Sequence, residues 1–158
     1  MAQPYAMQID MNTIYQVVIA LDAGEITMEL DPQLAPTTVN EFVSRAREGF
    51  YDGLTFHRVV PEFVIQGGDP KGNGSGGPGY KFADEPVKAE YTEGAVAMAN
   101  AGPDTNGSQF FICIDDCQTK LAPSYNLFGY VVDGMDVALA TGVGDTMRSV
   151  VIEERDRS

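Results

Sequence analysis

The sequence predicts an all-β fold, a barrel or a sandwich of seven or eight short strands with two helices. Three observations favour this fold class. Apolar residues fall into short runs between turn-forming residues, strands do not alternate with helices, and 17 glycines and 9 prolines in 158 residues indicate many turns. This length suits one compact domain, residues 13–158, preceded by an N-terminal extension, residues 1–12, whose order the sequence leaves open.

The first two strands are expected to form a hairpin. They lie in the segment TIYQVVIALDAGEITMEL, residues 13–30, and the turn falls at Asp22-Ala23-Gly24. Ile26, Met28 and Leu30 alternate with polar residues along the second strand. One face of this strand is therefore expected to be buried and the other to face water.

A helix is predicted within the segment APTTVNEFVSRAREGF, residues 35–50. Its apolar positions, which recur at helical spacing, are Val39, Phe42, Val43 and Ala46. Pro36 suits the first turn, and Thr38 and Glu41 are expected to form a capping box. Gly49 is expected to end the helix.

The rest of the chain is predicted to contain further strands, one long loop and a second helix. Strands around residues 55–60 and 62–66 are separated by Pro61, which forces a kink or a bulge. The glycine-rich loop is GGDPKGNGSGGPGYKF, residues 67–82. The later strands are GAVAMANA, SQFFICI, NLFGYVV and MRSVVIEE, and GMDVALATG is expected to form a two-turn helix.

Charge and hydropathy exclude several classes of partner. The net charge of −13 argues against nucleic acid and against anionic membranes, because both require a basic surface. No apolar run is long enough to cross a bilayer, and the first residues do not resemble a secretory signal. We therefore expect a soluble, cytoplasmic protein.

The glycine loop contains two weak motifs. Residues 72–77, GNGSGG, fit the GxGxxG pattern, but a dinucleotide site requires a helix to begin there and no helical periodicity follows. Asp69, Lys71 and Asn73 resemble the start of a calcium loop, but its twelfth position is Tyr80 instead of a bidentate glutamate. Neither a nucleotide nor calcium is expected to bind, and no cofactor is expected.

The cysteines and the single histidine do not predict a metal site. Cys113 and Cys117 are too few for a disulfide framework and are not spaced as CxxC, so we expect buried or incidental free thiols. His57 is the only histidine, which makes zinc binding improbable. It is expected to be a hydrogen-bonded structural residue instead of a general base.

Arg58 is the unusual residue of the segment TFHRVVPEFVIQGGDP, residues 55–70. A guanidinium in such an apolar run is costly to desolvate unless a partner compensates its charge. From the strand alone, the favoured interpretation is an ion pair with Glu62 or another carboxylate on a sheet face.

Four segments in order resemble the cyclophilin family of peptidyl-prolyl cis-trans isomerases. They are FHRVVPEFVIQGGDP, GGPGYKFADE, MANAGPDTNGSQFFI and LFGYVVDGMDV, and the resemblance extends from about Thr13 to Ile152. It implies a closed antiparallel barrel of eight strands capped by two α-helices, with the substrate groove on the outside of the barrel. It also implies an enzyme that acts on X-Pro bonds in unfolded or flexible chains. A non-catalytic proline-peptide binding module on the same groove is the alternative.

The resemblance also assigns site residues. Arg58 matches the catalytic arginine of this family, and Gln66 the residue that braces it. The proline pocket is expected to be lined by Phe63, Val64, Phe111, Leu121 and Tyr125. The edge that holds the peptide backbone is expected to be Ala99, Asn100, Ala101 and Gln109.

Some positions depart from the family pattern. Val64 stands where many members carry methionine, and Tyr125 where many carry histidine. The family tryptophan before Leu121 is missing, Lys120 or its neighbours take that place, and the chain has no tryptophan. Weakened cyclosporin binding is therefore expected, whereas the isomerase centre does not depend on the indole. Small members of this family resemble monomers, so a monomer is expected.

Overall fold

The computed structural model describes residues 4–157, and in this range the chain forms eight strands and two helices. In chain order they are β1 (Thr13–Leu21), β2 (Gly24–Leu30), α1 (Pro36–Arg47), β3 (Arg58–Val60), β4 (Val64–Gly67), β5 (Ala95–Met98), β6 (Phe110–Cys113), β7 (Leu127–Asp133), α2 (Met135–Ala140) and β8 (Ser149–Asp156). The predicted hairpin, both predicted helices and the later strands are thus confirmed. Neither helix is long and apolar enough to cross a membrane.

The strands form one antiparallel sheet in the order β3-β4-β6-β5-β7-β2-β1-β8. The expected closure of a barrel is not confirmed, because β3 and β8 stand at the two edges with no ladder between them. Strand β3 has only three residues and Pro61 follows it, so little backbone is left to pair. Contact between the two ends is instead made just before these strands, where Met147 N donates to Leu54 O (2.8 Å) and Phe56 N to Asp145 O (2.9 Å).

The sheet is buried on both faces over β4, β6 and β5. In β6, Phe110 and Ile112 pack into the main core, whereas Phe111 and Cys113 belong to a second apolar cluster on the opposite face. This arrangement explains why the run FFIC lacks polar alternation, since a strand covered on both sides is apolar throughout. The second cluster, which also contains Val64 and Leu127, forms the floor of the candidate site described below.

Helix α1 packs Val39, Phe42 and Val43 into the main core, and its beginning differs from the prediction. The capping box is wrong, because no side chain of the helix caps its first turn. The carboxylate of Glu85 does so from the distant loop, accepting hydrogen bonds from Thr37 N (3.0 Å) and Thr38 N (2.7 Å). The predicted end is confirmed, since Gly49 adopts a φ of 77° and donates to Ala46 O.

The described part of the N-terminal extension, residues 4–12, lies partly on α1, and residues 1–3 of the extension fall outside the described range. Tyr5 N donates to Glu41 Oε2 (3.1 Å), which is the carboxylate that the capping box was expected to use. Gln8 N donates to Asn40 Oδ1 (2.8 Å). Because of this cover, α1 is buried without interruption from Thr38 to Ala46.

Arg45 is a buried cation beneath this cover and is only 1% exposed. Its guanidinium donates to the hydroxyls of Tyr51 (3.2 Å) and Tyr80 (2.9 Å). It also lies 5.9 Å from the ring centroid of Tyr5 and 5.6 Å from that of Phe50. Hydroxyl oxygens and ring faces both stabilise a positive charge, so together they replace part of its hydration.

Candidate functional site

A slot with a volume of about 290 Å³ opens on the outside of the sheet. Nine of the eleven sequence-predicted site residues line it together: Arg58, Phe63, Val64, Gln66, Ala99, Asn100, Phe111, Leu121 and Tyr125. They come from β3, β4, β6 and three loops. Strand pairing brings Arg58, Val64, Gln66 and Phe111 together. Arg58 is the one charged side chain among them.

Arg58 is the first residue of β3 and is exposed at the rim of the slot. Its register partner on β4 is Gln66, and Arg58 Nη1 donates to Gln66 Oε1 at 3.2 Å. The ion pair with Glu62 that the strand alone favoured is wrong. Glu62 adopts a φ of 61° in the turn after Pro61, and its carbonyl oxygen accepts a hydrogen bond from Lys120.

A chain of hydrogen bonds extends from Arg58 into the glycine loop. Gln66 Nε2 donates to Gln109 Oε1 at 3.1 Å. Gln109 Nε2 in turn donates to the carbonyl oxygens of Gly74 (2.9 Å) and Gly76 (3.0 Å). The guanidinium is thus oriented by two amide side chains whose final acceptors are backbone atoms, which do not change with pH.

The glycine loop itself is held by Asp69, whose side chain is 1% exposed. Its carboxylate accepts hydrogen bonds from the backbone N–H groups of Lys71 (2.8 Å), Asn73 (3.1 Å) and Gly74 (2.5 Å). Burial acts to raise the pKa of Asp69, but these N–H groups outweigh it and the pKa is lowered. Asp69 is therefore a structural anion that shapes the loop.

The walls and floor of the slot are apolar. Val64 and Phe111 are 2% and 4% exposed, so they form a floor, whereas Phe63, Leu121 and Tyr125 are half-buried and form walls. The rings of Phe111 and Tyr125 meet edge to face, with centroids 5.5 Å apart. Backbone hydrogen bonds between Tyr125 and the Tyr91 hydroxyl fix this wall from behind.

A second, larger cavity of about 760 Å³ adjoins the slot and shares Gln66, Ala99 and Asn100 with it. The two remaining predicted residues, Ala101 and Gln109, line this cavity. Sequence reasoning missed its other side, which is built by residues 74–81 and by Thr105, Gly107 and Ser108. Glycine-rich sequence has no periodicity, so the only available signal was the polar composition of the loop.

His57 and the two cysteines lie beside the slot and do not line it. Burial lowers the pKa of His57, the charge of Asp69 raises it and that of Arg58 lowers it further, with a net lowering. Its Nδ1 has no hydrogen-bond partner among the described residues, contrary to expectation. Cys113 and Cys117 are free and buried, as predicted, and burial raises the pKa of both thiols.

Comparisons with known proteins agree on one family. The model of the family described as "Cyclophilin type peptidyl-prolyl cis-trans isomerase/CLD" matches residues 16–156. The chain is 48% identical over 134 residues to peptidyl-prolyl cis-trans isomerase B of Bacillus subtilis (strain 168), covering 84% of this chain and 93% of that protein. It is 42% identical over 139 residues to a peptidyl-prolyl cis-trans isomerase of Synechococcus elongatus, covering 87% and 95%.

Solved structures are similar over nearly the whole chain. A crystal structure of a cyclophilin type peptidyl-prolyl cis-trans isomerase from Cryptosporidium parvum superposes with a TM-score of 0.82 at 30% identity, covering 90% of this chain and 99% of that one. A structure of the same protein in the presence of the dipeptide Ala-Pro gives a TM-score of 0.81. The family match includes every residue that lines the slot.

Proposed function

The chain belongs to the cyclophilin-type peptidyl-prolyl cis-trans isomerases, and we propose that Arg58 is the group that accelerates bond rotation in this protein. One observation carries the proposal. An exposed guanidinium, braced by Gln66 and without a carboxylate partner among the described residues, stands at the rim of an apolar slot. Of the five other arginines, four pair with a carboxylate and Arg45 is buried among tyrosines, so Arg58 is the one arginine with neither arrangement in the described range.

The reaction to be catalysed breaks no covalent bond. Amide resonance holds the X-Pro bond planar, with a barrier of about 18–20 kcal/mol. When the bond is twisted by about 90°, this resonance is lost and the proline nitrogen regains a localised lone pair. A catalyst must therefore bind the twisted form more tightly than either planar form.

Arg58 has the properties that this task requires. Its guanidinium is positively charged and presents five N–H donors in a fixed fork. It can bind the proline carbonyl while another N–H donates to the lone pair that exists only in the twisted form. A preorganised donor of this kind contributes about 2.7–4 kcal/mol, or two to three powers of ten in rate.

The slot supplies the second part of the mechanism. Phe63, Phe111 and Leu121 hold the pyrrolidine ring while the carbonyl of the preceding residue rotates. These side chains also exclude water. Because water stabilises the charge-separated resonance form of the planar amide, its exclusion favours the twisted form. A slot of 290 Å³ is at the small end of ligand pockets, which range from about 300 to 1,000 Å³, so it suits one small ring.

The edge beside the slot binds the peptide backbone in this proposal. Ala99 and Asn100 line both cavities, Ala101 and Gln109 line the larger one, and Gln109 O accepts a hydrogen bond from Ala99 N (3.0 Å). The side chain of Asn100 is held by Ser124, because its Nδ2 donates to Ser124 O at 2.8 Å. A positioned peptide keeps the X-Pro bond next to Arg58 during rotation.

A protease-coupled assay with a proline-containing tetrapeptide tests the role of Arg58. Arg58→Ala is expected to lower kcat/KM by about 100- to 1,000-fold, from the donor contribution above. Arg58→Lys keeps the charge but loses the planar fork, so an intermediate loss is expected. Arg47→Ala is the matched control, because Arg47 is an exposed arginine of α1 that pairs with Glu154.

Two outcomes would contradict the proposal. Equal activity in the wild type and both Arg58 variants would remove Arg58 from the mechanism. A loss of the same size in Arg47→Ala would show a general effect of removing an arginine. Circular dichroism of each variant confirms that the fold is kept.

The physiological setting is part of the same proposal. The substrates are proline-containing segments of unfolded or flexible proteins, and the protein assists folding in the cytoplasm as a monomer. Cyclosporin binds weakly, because Lys120, which pairs with Asp115, precedes Leu121 at the slot and the chain has no tryptophan. A calorimetric titration with cyclosporin measures this affinity.

A further inference from the structure

The lysines and arginines of this acidic protein differ in whether they pair with a carboxylate. The sequence has ten lysines and arginines, all within residues 4–157. Five form ion pairs with carboxylates: Arg47, Lys120, Arg148, Arg155 and Arg157. Of the others, Arg45 is buried among tyrosines and Lys88 donates to the carbonyl of Gln33. Within the described range, four cations are exposed and have no carboxylate partner: Arg58, Lys71, Lys81 and Lys88.

Two of these four cations line the groove. Arg58 lines the slot, and Lys81 lines the adjoining cavity of about 760 Å³. Lys71 lies behind Gly76 of the cavity wall together with the carboxylate of Asp69, and Lys88 lies outside both cavities. In a chain with net charge −13, the cations that line the groove thus have no carboxylate partner among the described residues.

Among the described residues, no carboxylate lines either cavity. Acidic residues that lie near Lys71 and Lys81 along the chain, or that pair with such a residue, accept hydrogen bonds from the backbone. Asp69 accepts backbone N–H groups of the loop, and Asp84 and Asp104 accept each other's backbone N–H groups at 2.9 and 3.2 Å. An acidic side chain in the larger cavity would therefore meet Lys81 without a competing carboxylate of this protein among the lining residues.

We propose that the groove prefers proline-containing segments with an aspartate or glutamate near the proline, and that Lys81 is the specificity-determining residue for this preference. The two cavities share Gln66, Ala99 and Asn100 and therefore adjoin each other. An extended chain advances about 3.3–3.6 Å per residue, so a side chain two or three residues from the proline reaches the larger cavity. Because the proline is placed in the slot, this preference rests on the proposed function.

The size of the effect follows from the exposure of Lys81. Exposed ion pairs change affinity by a factor of about two to five, and this attraction is screened by salt. Repulsion of a lysine at the same peptide position adds a similar factor. The wild type is therefore expected to prefer a glutamate peptide over the matching lysine peptide by about fivefold at low ionic strength, and by much less in 1 M salt.

The test uses three peptides that differ at one position, which holds Glu, Gln or Lys, two residues before the proline. A second set carries the change two residues after the proline. Affinities are measured by NMR titration and kcat/KM by the isomerase assay, for the wild type and for Lys81→Glu and Lys88→Glu. The two variants change the net charge equally, but Lys88 lies outside both cavities.

Support for the proposal is a Glu-over-Lys preference in one peptide set that reverses in Lys81→Glu and persists in Lys88→Glu. Equal affinity for the Glu and Lys peptides in the wild type overturns it. An unchanged preference in Lys81→Glu, or an equal change in both variants, also overturns it. Equilibrium affinity does not depend on the rate of isomerisation, so loss of the proposed catalytic role would appear separately, as absent activity on the Gln peptide.

Discussion

Replacing Asp69 by asparagine tests whether the glycine loop holds Arg58 in place. The Asp69 carboxylate accepts three backbone N–H groups, one on Oδ1 and two on Oδ2. An asparagine can place its single acceptor oxygen on only one side, so at least one N–H group loses its acceptor and faces an NH₂ donor. The remaining bonds change from charge-assisted to neutral and become about half as strong.

The expected cost is about 2 kcal/mol in the free energy of unfolding. A hydrogen bond to a charged group contributes about 1.5–3 kcal/mol, and water can reach the exposed loop and satisfy part of the loss. The change should also reach the candidate site, because Gly74 O and Gly76 O orient Gln109, which orients Gln66 and Arg58. We expect kcat/KM to fall by about tenfold, equivalent to about 1.4 kcal/mol.

Urea unfolding at pH 7 and the isomerase assay measure these two effects. Asp133→Asn is the matched control, because Asp133 is exposed and accepts the backbone N–H of Gly134 far from the loop. The reasoning is refuted if Asp69→Asn resembles this control in both stability and activity. Because the pKa of Asp69 is lowered, its stabilisation is present above pH ~3.9 and is lost as the pH falls further, so both proteins should converge in acid.

Two further predictions concern stability. Glu85→Gln should lower the free energy of unfolding by about 1–2 kcal/mol, because the Glu85 carboxylate caps two N–H groups at the positive end of α1. Urea unfolding measures this change, with the exposed Glu93→Gln as control, and equal midpoints for the two variants would contradict the cap. The pKa of His57 is lowered in the folded state, so the unfolded chain binds the extra proton first and stability should decrease as the pH falls below ~6.5. His57→Asn should reduce this decrease in the free energy of unfolding between pH 7 and 5. Identical pH profiles of stability for the wild type and the variant would exclude His57 as the source of the decrease.

Local sequence patterns predicted most of the secondary structure. The alternation in β2, the turn at residues 22–24 and the helical spacing in α1 depend on neighbouring residues alone, and the structure confirms all three. The glycine that ends α1 was recognisable for the same reason, since a left-handed residue after a helix favours glycine.

Contacts between distant parts of the chain could not be predicted in this way. The carboxylate of Glu85 caps the first turn of α1 at Thr38, which lies 47 residues earlier in the chain. The sequence pattern instead favoured a capping box of Thr38 and Glu41, because these two residues have the correct spacing within the helix itself. The burial of Arg45 depends on Tyr5 and Tyr80, which lie far from it along the chain. The segments of the slot were identified by resemblance, whereas their assembly from β3, β4 and β6 required the pairing of strands.

The cover over Arg45 has a consequence for changes at the N-terminus. An apolar residue at position 45 would be left on an open helix face if residues 4–10 were removed or displaced by a fusion partner. An arginine tolerates both situations, because water can hydrate it as well as tyrosine hydroxyls do. Shortened or N-terminally fused versions of this protein should therefore not expose an apolar side chain at position 45. Tyr80, which lines the larger cavity and accepts a hydrogen bond from Arg45, is the residue through which such a change would reach the groove.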